Sequence, residues 1–159
     1  MSAYFDLVIN CDLREDVPAS CVQFISWLCD IDSSLETQPR VDCFDQNETE
    51  LANVWSYPFL APRPDEETFS NFQSRYRYNM PETKGGKEVY KYSLHFSEHN
   101  ILDDTFFDCH LSFLYWIARI CENGFIGYYK EEFDSEPTLV YVKDGELITI
   151  PKINSSQPE

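Results

Sequence analysis

The run 101–129 constrains this chain more than any other, because it joins a long helical pattern to the strand that must follow it. Apolar residues recur at Phe107, Leu111, Leu114, Ala118 and Cys121, and a second row, Phe106, Phe113, Ile117 and Ile120, lies beside them. That spacing predicts a helix with a wide apolar arc. Asp108, Ser112, Arg119 and Glu122 fall on the opposite side. Thr105 and Asp108 have the spacing of a capping box, and Asp103 and Asp104 suit the positive end of the helix. Asn123 and Gly124 stop it, and 125–129 leaves as a strand. A helix of about 17 residues is roughly 25 Å long, enough to cross a sheet. Its acids are therefore read as caps and its body, with Trp116, as core.

The rest of the chain supplies the sheet. Phe5, Leu7, Ile9, Cys11 and Leu13 alternate with Tyr4, Asp6, Val8, Asn10 and Asp12, the pattern of a half-buried strand. Asp16 caps a helix, Pro18 sits in its first turn, and Val17, Cys21, Phe24, Ile25 and Leu28 form its stripe. Residues 72–80 and 88–97 alternate again and make a hairpin centred near Lys84, which sets Arg77 opposite Lys91 and Arg75 opposite Ser93. A second hairpin joins 138–142 to 147–150 through Asp144 and Gly145, a pair suited to a tight primed turn.

Between the first helix and the first hairpin the pattern dissolves. Residues 30–71 hold ten acids against Arg40 and Arg63, with prolines at 39, 58, 62 and 64. Leu51, Val54, Trp55, Tyr57, Phe59 and Leu60 give this acidic excursion apolar anchors, so it reads as ordered rather than as a linker.

A weak repeat ties the two helices together. At an offset of 89, Phe24 falls on Phe113, Trp27 on Trp116, Leu28 on Ile117, Phe5 on Leu94 and Leu7 on Phe96. The element order strand, helix, strand, strand, helix, strand resembles a ferredoxin-like α+β sandwich, with both helices on one face. The C-terminal hairpin would extend the antiparallel sheet. One domain is expected over 1–153, followed by a polar tail at 154–159.

Composition narrows the function classes. A net charge of −16 opposes binding to nucleic acid or to an anionic membrane surface. Hydrophobic residues at 43% and aromatics at 16% can build a core without disulfides or metals, so no cofactor is expected. The six cysteines form no C-x-x-C pair, and the N-terminus has no basic region followed by an apolar run. Reduced thiols and a cytoplasmic location are the resulting expectations.

Chemistry is sparse. There is no Gly-rich phosphate loop, nucleophile elbow or triad order. His95 and His99 have metal-like spacing but fall where a strand runs into a loop, and His110 is expected at the core edge. Glu131 and Glu132 are strand neighbours that point apart.

Two sites remain. The sheet face away from the helices would carry Asp6, Arg75, Arg77, Lys91 and His95. Within 72–97 five basic residues face only Glu82 and Glu88, which suits an anionic ligand or an enzymatic site. The other site is the excursion, where Trp55, Tyr57 and Phe59 with Asp65, Glu66 and Glu67 would bind a basic partner. The leading expectation is a small acidic protein-binding module, more a binder than an enzyme, in the manner of an inhibitor or immunity-type protein. Pairing of two copies through the open sheet face is a further expectation.

Overall fold

The computed structural model describes residues 3–30, 38, 57–63, 68–76 and 90–151. Strand β1 (Tyr4–Asp12) leads to helix α1 (Ala19–Leu28), then β2 (Phe69–Tyr76) and β3 (Tyr90–Leu102). The helical run α2 follows in three pieces, a turn at Asp103–Thr105, a π-helical stretch at Phe106–Leu111 and an α-helical stretch at Ser112–Ile117. Strands β4 (Gly124–Glu131), β5 (Thr138–Lys143) and β6 (Glu146–Ile150) follow.

The strands form one six-stranded antiparallel sheet in the order β2-β3-β1-β4-β5-β6. The expected α+β class holds. The six-strand order differs from the four-stranded sheet of a ferredoxin-like sandwich. β1 is central because its alternation gives one wholly apolar face: Phe5, Leu7, Ile9 and Cys11 are all buried. Leu94 and Phe96 of β3 and Val140 and Val142 of β5 continue that face. The helices cover it. Phe106 of α2 stacks on Phe5 with ring centroids 4.3 Å apart. Phe24 of α1 meets Trp116 of α2 edge-on at 5.6 Å, so the residues of the 89-residue repeat pack against each other. The segment 57–61 closes the same core, with the Leu60 amide donating to the Leu28 carbonyl at 3.1 Å.

Several local expectations are corrected. Pro18, not Asp16, is the N-cap residue of α1, while Asp16 pairs with Arg14 at 3.3 Å. Thr105 lies inside the first turn of α2 and makes no capping hydrogen bond; Asp103 instead accepts from the Asp104 amide at 2.8 Å. The α-helix ends at Ile117, because residues 120–122 are drawn to the end of β1. The Arg14 amide donates to the Ile120 carbonyl, and the Glu122 amide to the Asp12 carbonyl. Gly124 therefore opens β4 rather than closing a helix, and Asn123 is used elsewhere. Its side-chain oxygen accepts from the Asp144 amide at 2.8 Å, and its amide group donates to the Asp144 carboxylate at 3.3 Å. Asp144 and Gly145 have φ of 51° and 82°, the expected primed turn.

The first hairpin is offset by two residues from expectation: Arg75 faces Lys91, and Gln73 faces Ser93. Its connection at 77–89, the parts of the excursion at 31–37, 39–56 and 64–67, and the tail at 154–159 lie outside the described residues.

Candidate functional site

The sheet face opposite the helices is divided in two. Reading across it by register, Phe69, Ser97, Val8, Tyr128, Leu139 and Ile150 share one row. In the next row His95 and Asn10 lead toward Tyr141 and Ile148. Phe125 faces Tyr141, their ring centroids 5.3 Å apart. The half over β2, β3 and β1 is mainly polar, with Asn71, Gln73, Ser93, His95, Asn10 and Asp12, and carries exposed Phe69 at the β2 edge and Tyr4 opposite Leu102 at one end. The half over β4, β5 and β6 is apolar. Phe125 is 54% exposed, Ile150 48%, Ile148 40% and Tyr128 36%, whereas the helix-facing Val140 and Val142 are buried.

A bulge creates this apolar half. The register between β4 and β5 shifts between Phe125 and Gly127, so that Phe125 lies on the open face although Gly127, two residues on, does not. Ile126 is buried at the bulge. Alternation read straight through 125–129 puts Phe125 on the wrong side, which is why sequence reasoning missed this patch. One signal was present: both Leu139 with Tyr141 and Val140 with Val142 are apolar, the mark of a strand with two covered faces.

The residues expected to form an anion site are spread out. Asp6 lies level with residues 98–101 of β3, and Lys91 lies roughly 25–30 Å further along that strand. Asp6 has local duties: it accepts from the Asn100 amide at 3.1 Å and lies 3.3 Å from His99 Nδ1. Asn100 has a φ of 59°, and the β1–β3 register shifts beside it between Phe5 and Leu7. Asp6 therefore satisfies a bulge. His95 sits opposite Asn10 and Asn71, about 13 Å from Lys91 along β3. Arg75 and Lys91 are backbone register partners, and Arg77 lies outside the described residues.

Of the expected partner-binding residues, Trp55, Asp65, Glu66 and Glu67 lie outside the described residues. Phe59 is 2% exposed, its ring edge-on to His110 at 5.3 Å and to Phe113 at 5.9 Å, so it is held inside the core. Tyr57 is on the surface, with its hydroxyl 3.7 Å from Cys109 Sγ.

His110 was expected at the core edge and is instead fully buried, within the π-helical stretch. Its Nε2 lies 3.2 Å from Glu98 Oε2, and its Nδ1 lies 3.4 Å from the Thr105 carbonyl. Both ring nitrogens thus have an oxygen partner. The π turn is steadied by Ser112, whose hydroxyl donates to the carbonyls of Asp108 at 2.5 Å and Cys109 at 3.1 Å. Burial pushes the Cys109 thiol up, and burial together with Cys109 pushes the Tyr57 hydroxyl up. Neither is an activated nucleophile, which requires the opposite shift. The cluster is a satisfied polar island in the core.

Among the described residues no helix is long and apolar enough to cross a membrane. No protein-family model, no curated protein and no solved structure matches this chain.

Proposed function

We propose that this chain is a protein-binding module that docks its partner on the apolar half of the open sheet face. The observation that carries this reading is the contiguous set Phe125, Tyr128, Leu139, Tyr141, Ile148 and Ile150 on β4, β5 and β6, beside Val8. Single exposed apolar residues are ordinary, but a contiguous group rimmed by polar side chains marks an interaction surface. Phe and Tyr also suit binding hot spots, which favour large rigid rings. None of the five described cysteines is in a disulfide and four of them are buried, which suits the expected reducing, cytoplasmic setting.

The architecture that positions this face is read as a ferredoxin-like core, β1-α1-β2-β3-α2-β4, extended by the β5–β6 hairpin. Support comes from β1 lying between β3 and β4, and β3 between β1 and β2. In this reading the hairpin is the addition that makes the module a binder, since it supplies four of the six apolar side chains.

The test is a photo-crosslinking amino acid placed at position 148 or 71 of the full chain in cells. A discrete protein adduct from 148, absent from 71 and lost when Tyr128→Asp is added, is expected. Equal adducts from both positions, or none from 148, would overturn the reading.

A further inference from the structure

From the patch dimensions and the charges around it, we infer that the partner contributes one amphipathic helix with basic flanks, laid on the apolar half of the open face. The inference rests on the docking reading above and specifies its occupant.

Size comes first. Three strands spaced about 4.8 Å apart make a field about 14 Å wide, and the apolar rows extend for a similar length. A helix with its side chains is about 10–12 Å across, so the field takes one helix and not two. The same sheet already shows what covers such a surface. Its other face is closed by α1 and α2, whose buried stripes of Phe24, Ile25, Phe113 and Ile117 meet the strand side chains. A sheet face that is apolar is buried by a helix stripe or by another sheet. A second sheet needs a field broader than half of one face, and beyond Val8 the rows run into Ser97, Asn10 and His95, with Phe69 set apart on the edge strand.

Charge then selects the helix. Residues 122–151 hold seven acids against Lys130 and Lys143. Glu132, Asp134 and Glu136 stand where β4 turns into β5, and Asp144 and Glu146 where β5 turns into β6, while Lys130 and Lys143 end the open-face rows and Glu131 falls on the helix side with Phe5. Beyond those two lysines the turns at both ends of the field hold these five carboxylates. A stripe flanked by Lys or Arg meets them, whereas a second copy of this chain would bring the same −16 charge and the same acidic rim. The patch itself is smaller than a stable interface, which buries about 800 Å² per partner, so the rim contacts contribute to holding the helix.

The experiment titrates the isotope-labelled full chain with a synthetic Leu/Lys helix of about 18 residues whose leucines form one stripe. The controls are a peptide of the same composition with the leucines scattered and a striped Leu/Glu peptide. The striped Leu/Lys peptide is expected to shift the resonances of Tyr128, Tyr141, Ile148 and Ile150. It should bind about tenfold tighter than the scattered peptide and weaken about tenfold between roughly 50 and 500 mM salt. The pair Tyr128→Asp with Ile148→Asp should abolish the shifts without altering the melting curve. Equal affinity for the scattered peptide, shifts confined to other residues, or no binding would overturn the inference. So would equal binding of the Leu/Glu peptide, or an adduct between two copies of the chain in the crosslinking test. A discrete adduct at position 148 alongside failure of the peptide would leave the docking face standing and reject only the basic helix.

Discussion

A methyl group at Gly127 would stand 1.9 Å from the carbonyl oxygen of Val8 and 2.9 Å from its carbon. Both are backbone atoms of the central strand, so no side chain can move aside. Gly127 also has a φ of 153°, which adds to the constraint. Gly127→Ala should therefore cost more than ordinary overpacking, about 3 kcal/mol or above, by forcing β4 away from β1. Urea denaturation measures this, and a loss below about 1 kcal/mol would mean that the strands separate easily. A glycine in a strand is legible in sequence as a place of close backbone approach. Other residues were not, because their partners are far along the chain. Asp6 serves the Asn100 amide, and His110 is held by Glu98 from the neighbouring strand. No local pattern announces either pairing. Buried polar groups need partners, but sequence does not say which ones.

Among the described residues, the six strands and two helices were legible, since alternation and the helical period are properties of neighbouring residues. Phase was less so. The π-helical stretch adds to the residues per turn, so Phe106, Cys109, His110 and Phe113 face the core while Phe107 is half exposed. A uniform period chose Phe107 as the leading residue. In the same way the β2–β3 register depends on a turn that alternation does not fix, which moved Arg75 from Ser93 to Lys91. The bulge in β4 hid the apolar half of the candidate site for the same reason: one extra residue reverses every later face. The contact between helices is firmer ground. Trp116 is buried, edge-on to Phe24 and 5.8 Å from the Phe113 ring. Trp116→Ala should lower stability by about 3–5 kcal/mol in a denaturant melt. A change within about 0.5 kcal/mol would show that the two helices do not depend on this cluster.

The molecule as a whole carries several protons that only the folded state retains. Burial pushes the Cys29 thiol up to about 12, and the Cys109 thiol and the Tyr57 and Tyr129 hydroxyls are raised chiefly for the same reason. Cys121 is raised by its hydrogen bond with Cys11 and by burial. These groups lie just after α1, on α2 and β4, and in the segments between, so their effect is distributed. The unfolded chain releases thiol protons near pH 8.5–9, before the folded chain does. Stability from this source is therefore complete below that range and is lost as pH climbs toward about 12. The urea midpoint should be level from pH 7 to 8 and fall steadily above pH 9. A midpoint unchanged up to pH 11 would contradict the burial of these groups.

The position of β1 at the middle of the sheet also governs how the chain reaches its fold. Ile9 pairs with Phe96 on one side and with Gly127 on the other, roughly 90 and 120 residues later. Every ladder of the central strand must close a long loop before it gains its hydrogen bonds, and the entropy of closure comes before the reward. A chain of this topology folds slowly for its size. During synthesis its alternating first strand waits, one face apolar and both edges open, for two later segments to arrive. Early engagement of that strand by a holding chaperone would keep it from pairing with the wrong neighbour.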